Sequence, residues 1–300
     1  MTVRLGLVGA GAWGKNYLRT SAGSTDLTVS CVCRARRAPV DGFAEVPVTD
    51  DLGELLSVCD AVVVATPPSS HESVVMRALS AGKPVLLEKP AALSAPAVDR
   101  MLAAAELARV PFLVGHIHLF SQAFSFLRAW TRSWRSRAVL STAGNVGPIR
   151  DYPSLWDWGP HDVSMCLALF GKAPDDIEAV RHECGPGVVD VLSLGFGESR
   201  AVLRFGNGMD RKVRRFGVSS ADGEALYEDA GGGALSFLGS PVSLPQVTPL
   251  KTMLDSFVSA VKGGPVDWRY DPWLVLETAK VLDLADHVTS IRTDRFLLEP

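Results

Sequence analysis

The chain has 300 residues, 47% of them hydrophobic and 21% charged, with a formal net charge of −3 at pH 7. This length suits two domains, and the composition excludes disordered, collagen-like and coiled-coil classes. The slightly acidic balance argues against nucleic-acid binding through global charge. No uninterrupted apolar run approaches the ~18 residues of a membrane helix, so no membrane partner is expected.

Five cysteines (Cys31, Cys33, Cys59, Cys166, Cys184) form neither a C-x-x-C pair nor a zinc-like spacing. Reduced thiols in a cytoplasmic protein are expected, and no metal site. The apolar start, Leu5 to Ala12, is broken by three glycines and reads as a buried strand and turn, not a signal peptide.

Short apolar runs then follow at Val3–Val8, Leu27–Val32, Ala61–Ala65, Pro84–Leu87 and Pro111–Val114. Strands buried on both faces read this way. Between them, His71–Ala81 and Pro96–Ala108 carry apolar residues at helical spacing, which predicts a doubly wound parallel sheet. The stretch Arg34–Asp50 holds two prolines and little helical pattern, so the second crossover helix is expected to be short or missing. A domain boundary is placed near Leu119, giving domains at 1–118 and 119–300. Beyond it, an aromatic helical stretch from Phe120 to Trp134 leads to Ala138–Ala143. Strand-like runs at Val188–Phe196, Ala201–Phe205 and Val213–Val218 follow, separated by turns. They predict an α+β domain on an open, largely antiparallel sheet. Helices close the chain around Leu250–Val261 and Trp273–Val288, and Gly231-Gly232-Gly233 reads as a loop.

Gly9-Ala10-Gly11-Ala12-Trp13-Gly14 fits G-x-G-x-x-G between the first strand and a helical stretch. There Gly9 permits the tight turn, Gly11 lets backbone approach a pyrophosphate, and Gly14 lets the helix pack closely on the strand. The helix start, with Ala12 and Trp13, offers N–H groups to the anion. This is the fingerprint of a Rossmann dinucleotide site. About 20 residues on, a ribose-binding carboxylate marks an NAD site. Here Arg34 stands in its place, with Arg36 and Arg37 beside it. A guanidinium suits a 2′-phosphate, so NADP(H) is expected over NAD(H).

Two further segments lie at C-terminal strand ends, where open α/β sheets bind ligands: Thr66-Pro67-Pro68 with His71, and Glu88-Lys89-Pro90. Farther on, Asp157 and His161 precede the apolar run Val163–Phe170. Pro160 is expected in that helix's first turn, with His161 near the positive helix end and Asp162 as an ordinary first-turn carboxylate. The arginine–tryptophan run Arg128–Arg137 reads as an amphipathic helix more readily than as a phosphate contact.

These residues together resemble the glucose–fructose oxidoreductase/inositol dehydrogenase (Gfo/Idh/MocA) family. The matched pieces are Gly9–Gly14, Thr66-Pro67-Pro68 with His71, Ala81-Gly82-Lys83-Pro84 leading to Glu88-Lys89-Pro90, Gly115-His116, and Asp157-x-x-x-His161. The resemblance implies an NAD(P)-dependent oxidoreductase acting on a sugar or nucleotide-sugar carbinol or ketone, in a homodimer or homotetramer. It also implies that Lys89 hydrogen-bonds the reacting oxygen, Glu88 lies beside the nicotinamide ribose, His161 is the acid/base and Asp157 assists it. Within the family the motifs are most similar to the sugar-nucleotide dehydrogenases. Two other readings stand beside this one: a non-catalytic dinucleotide-binding regulator, and an NADPH reductase of a non-sugar carbonyl or a linear tetrapyrrole.

Overall fold

The computed structural model describes residues 1–147, 149–185, 187–229, 234–245 and 247–292. The Gly231–Gly233 segment lies outside the described residues. Two compact units emerge, Met1–His116 with Leu250–Leu276, and Ile117–Pro249 with the chain from Glu277 on.

In the first unit the chain runs β1 (Val3–Val8), α1 (Ala12–Ser21), β2 (Leu27–Cys33), β3 (Val48–Thr49), α2 (Leu52–Val58), β4 (Ala61–Val64), α3 (His71–Ser80), β5 (Val85–Glu88), α4 (Ala95–Ala108) and β6 (Phe112–Gly115). The six strands pair in the order β3-β2-β1-β4-β5-β6, all parallel. That is the dinucleotide-binding order, with its switch point at β1. Every residue of β4, β5 and β6 is buried, as the continuous apolar runs require of strands covered on both faces. Helices turn their apolar spacing onto the sheet, α1 through Gly14, Tyr17, Leu18 and Ser21, and α3 through His71, Val75, Ala78 and Leu79.

No helix bridges β2 to β3, as the prolines of that stretch foretold, and β3 is two residues long. The short helix α2 was not read from the sequence. Asp51 starts it by accepting a hydrogen bond from the Gly53 N–H at 2.6 Å, and Leu52, Leu55 and Leu56 hold it down.

The second unit contains α5 (Gln122–Trp130), β7 (Ala138–Val146), α6 (Ser154–Phe170), β8 (Asp176–Cys184), β9 (Gly187–Phe196), β10 (Ser199–Gly206), β11 (Gly208–Ser220), β12 (Gly223–Glu228), β13 (Ala234–Phe237) and β14 (Ser240–Val242). Then come α7 (Pro249–Val261), α8 (Pro272–Val288) and β15 (Ser290–Arg292). Nine strands form one sheet, β14-β13-β12-β11-β7-β10-β9-β8-β15. It is antiparallel apart from the β7–β10 and β8–β15 pairs.

Two expectations need adjusting here. A single cut at residue 118 does not describe the contacts, because 250–276 folds with the first unit. The apolar face of α7 (Met253, Leu254, Phe257) is buried there, and the Tyr270 hydroxyl donates to the Met253 carbonyl at 2.7 Å. The aromatic helix also stops earlier than its pattern suggested. After Trp130 the chain tightens into a 3₁₀ turn, and Trp134 lies beyond it, stacked on Phe237. The arginines flanking it serve structure. Arg128 donates to the Ala168 carbonyl at 2.7 Å, and Arg137 reaches the Leu169 carbonyl while lying 4.8 Å from the Phe170 ring centre. Both neutralise the C-terminal carbonyls of α6.

No helix among the described residues is long and apolar enough to cross a membrane. All five cysteines are free thiols. Among the described residues no cluster of three His, Cys, Asp or Glu side chains could hold a metal ion.

Candidate functional site

The glycine turn joins β1 to α1 with almost no separation. Gly9 has φ +94°, and a Cβ on it would stand 2.6 Å from the Ala65 carbonyl oxygen. A Cβ on Gly14 would stand 2.1 Å from the Gly9 oxygen. Both positions therefore exclude any other residue. Gly11 is different, because a Cβ there would meet nothing within 4 Å. It faces open space, as a backbone cradle for a ligand must. Gly11 caps α1 without a side-chain hydrogen bond, no acidic residue sits in the first turn, and Gly11, Ala12 and Trp13 are exposed. Free N–H groups and the positive helix end thus remain available to an anion. This arrangement fits the pyrophosphate of a dinucleotide.

Arg34 follows β2, half-buried, its backbone N–H bonded to Thr49 and its guanidinium 3.5 Å from the Pro39 carbonyl. It makes no ion pair among the described residues. Arg37 is committed elsewhere, to Thr49, Asp50 and Glu54.

After β4, Thr66 is half-buried and Pro67 exposed, and Pro67 leads into a 3₁₀ turn at Pro68–Ser70. His71 is fully buried. Its Nε2 lies 2.8 Å from the Thr66 carbonyl oxygen, and its Nδ1 lies 2.9 Å from that of Pro90. These carbonyls favour a second ring proton, but burial is the larger influence and lowers the pKa. Both nitrogens face backbone, so His71 acts as a brace between the loops after β4 and β5. Any part it takes in a dinucleotide site runs through the positions of Thr66 and Pro90.

Glu88 ends β5 and is 6% exposed. The Tyr17 hydroxyl donates to its Oε1 at 2.5 Å. Burial pushes the Glu88 carboxyl up and the Tyr17 phenol well above its usual range. Tyr17 was missed in the sequence. Its signal was its place three residues after Gly14, on the helix face that the glycine turn presses onto the sheet. Lys89 follows, half-buried, before a cis Lys89–Pro90 peptide bond. Across the β5–β6 ladder, Glu88 faces Gly115, so Lys89 and His116 leave adjacent strands side by side.

In the second unit α6 carries Asp157 and His161, and here the sequence reading needs correction. The helix begins at Ser154, so Pro160 lies inside it and His161 is not at its positive end. Burial of Leu155 and Trp156 pulls the extra turn into the helix, and Gly159 before the proline relieves the usual steric conflict there. Asp157, not Asp162, is the first-turn carboxylate. It lies 3.4 Å from both the Tyr152 hydroxyl and the Arg150 Nε, beside a hollow of about 190 Å³ that Trp158 and Arg181 also line. Burial together with the Asp157 charge pushes the Tyr152 pKa up to about 12.

Asp162 is fully buried. It accepts from the Ser141 hydroxyl at 2.7 Å and from Arg214 Nη1 at 3.0 Å. Burial raises its pKa against the pull of Arg214. The pair locks α6 to β7 and β11, one residue from His161. His118 packs edge-on against the His161 ring, with centres 4.6 Å apart. Its Nδ1 lies 3.2 Å from the Tyr227 hydroxyl and 3.7 Å from an Asp229 oxygen. Arg214, Tyr227 and Asp229 carry no local sequence signal, because they lie 50 or more residues away from His161 in the chain.

The glycine turn, the strand order and the strand-end residues define an NAD(P)-binding Rossmann unit joined to a mixed-sheet unit. Residues 3–116 match the family described as "Oxidoreductase family, NAD-binding Rossmann fold". A crystal structure of a candidate oxidoreductase from Magnetospirillum magnetotacticum MS-1 is 33% identical, with a TM-score of 0.84, over 97% of this chain and all of that one. The chain belongs to the Gfo/Idh/MocA family. Among curated relatives, it is 30% identical to the inositol 2-dehydrogenase of Rhizobium meliloti (strain 1021) over 60% of this chain and 58% of that protein. It is 27% identical to the UDP-N-acetylglucosamine 3-dehydrogenase of Acidithiobacillus ferrooxidans over 59% and 58%. The matched stretches thus span under two thirds of these relatives' own lengths.

Removing the Asp162 carboxylate leaves the Arg214 charge buried without its partner. Asp162→Ala is therefore expected to cost roughly 3–5 kcal/mol in urea unfolding. A cost within ~1 kcal/mol would show that the pair does not hold α6 in place.

Proposed function

We propose that the protein is an NAD(P)-dependent oxidoreductase that interconverts a carbinol and a ketone on a sugar, cyclitol or nucleotide sugar. The observation that carries this reading is the assembly along one sheet edge of an open glycine cradle, an uncapped helix start and Lys89 beside the buried Tyr17–Glu88 pair. The bound dinucleotide supplies the hydride acceptor in oxidation and the hydride donor in reduction. Oxidising a carbinol removes a hydride from carbon and a proton from oxygen. The Lys89 ammonium hydrogen-bonds that oxygen and steadies the developing alkoxide. An imidazole nitrogen of His161 takes the hydroxyl proton, or returns it in reduction, and Asp157 supports it. The Tyr17 hydrogen bond fixes Glu88 and, through the backbone, the direction in which Lys89 leaves β5.

The relatives' names favour a polyhydroxy substrate. One is an inositol 2-dehydrogenase and another a UDP-N-acetylglucosamine 3-dehydrogenase. A non-catalytic regulator would need the glycine cradle but not Lys89 and His161 together.

For the cofactor, we read Arg34 as the partner of a 2′-phosphate, since among the described residues its guanidinium is bound only to a carbonyl. We also propose that the protein acts in the cytoplasm as a homodimer or homotetramer, assembled through the open face of the nine-stranded sheet. Leu140 stands 63% exposed on that face, and its neighbours across the ladders are Val202 and Gly217.

Three outcomes test these readings. Lys89→Ala should lower kcat by roughly 10²–10⁴ with NADPH affinity nearly intact; full activity would remove Lys89 from the chemistry. Arg34→Asp should weaken NADPH, and not NADH, by about 1.5–3 kcal/mol in a fluorescence titration, and equal loss for both dinucleotides would refute the 2′-phosphate contact. Light scattering should give the mass of a dimer or tetramer; a monomer at micromolar concentration would rule out the sheet-face assembly.

A further inference from the structure

His116 is a strand-end group that the proposed chemistry leaves unused. It follows β6, is 3% exposed, and its backbone N–H donates to the Val114 carbonyl at 3.0 Å. Neither ring nitrogen has a hydrogen-bond partner among the described residues. A buried polar group without a partner is destabilising, and native folds keep few of them. His71 lies equally deep in the same unit and has carbonyls at both nitrogens, so this fold can satisfy a buried imidazole. Burial and the nearby Lys89 charge push the His116 pKa down to about 4, and the ring stays neutral near pH 7. A neutral imidazole offers one donor and one acceptor.

Position narrows what it could meet. The strand order steps from the glycine turn through β4 and β5 to β6, at about 4.8 Å per strand. A dinucleotide whose pyrophosphate sits at β1 extends its nicotinamide along that edge, and Lys89 on β5 meets the reacting oxygen. His116 lies one strand beyond Lys89, on the far side of it from the glycine turn. An ammonium can only donate, which suits an oxygen becoming an alkoxide. A neutral imidazole can both give and accept, which suits a hydroxyl that does not react.

We propose that His116 binds a second hydroxyl of the substrate, on a carbon neighbouring the one oxidised, and so selects polyols over simple carbonyl compounds. The inference rests on the reading of Lys89 above and deepens it.

The experiment is a cycle of variant against substrate. Wild type, His116→Leu and His116→Gln are assayed with myo-inositol and UDP-N-acetylglucosamine, each with NAD⁺ and NADP⁺. The active substrate is then replaced by its monodeoxy analogues. Wild type should lose roughly 10- to 100-fold in kcat/KM on one such analogue. His116→Leu should lose a similar factor on the parent substrate, and the same deoxygenation should then cost it little. His116→Gln, which keeps a donor and an acceptor, should fall between. In both variants the dinucleotide Kd should stay within about twofold, and in His116→Leu the Tm should hold or rise, since the leucine removes an unpaired polar group.

A His116→Leu variant that keeps its kcat/KM, or pays the full deoxygenation penalty, would overturn the inference alone. So would a lower Tm with unchanged turnover, which marks a structural histidine, or a weakened dinucleotide with unchanged substrate KM. A folded wild type that turns over neither substrate would overturn the parent reading, and this inference with it.

Discussion

Everything at the sheet edge depends on how closely α1 approaches β1. With a Cβ at Gly14 only 2.1 Å from the Gly9 oxygen, no other residue could sit there without moving the helix. The close approach has two consequences. It leaves the helix start open to an anion, and it places Tyr17 one turn later deep enough to reach Glu88. The turn that leaves the cradle open thereby also fixes the residue next to Lys89. Cradle and strand-end chemistry share one rigid frame because one backbone contact sets both.

The buried polar groups sort by whether the fold gives them partners. Asp162 has Ser141 and Arg214, and His71 has the carbonyls of Thr66 and Pro90. These groups tie elements together. His116 has none among the described residues, and it follows β6 beside Lys89. The contrast separates polar groups that serve the architecture from one that the fold leaves without a partner among the described residues. His71 and His116 belong to the same unit.

Much of the first unit was legible in the sequence. Continuous apolar runs such as Ala61–Val64 read as strands covered on both faces, and a glycine pattern after the first of them marks the turn and the helix start together. The second unit was legible only in outline. Pro160 was read as a helix start, yet the helix begins at Ser154, because burial of Leu155 and Trp156 outweighs the proline's local preference. Asp162 reads as an ordinary first-turn carboxylate and is instead an internal ion-pair partner. The short helix α2 escaped because seven residues hardly show a period.

The sequence by itself determined the doubly wound parallel class of the first sheet, the glycine cradle, the short or missing crossover helix and the set of strand-end residues. Each of these follows from local sterics or from periodicity within a dozen residues. Only the tertiary structure decided that α7 folds with the first unit, that Tyr17 secures Glu88, and that Arg214 neutralises Asp162. It alone showed that His71 is a brace while His116 has no partner among the described residues. The physical reason is that burial and pairing are set by what arrives from elsewhere in the chain. A side chain's identity gives its donors and acceptors, whereas the fold decides which of them are met.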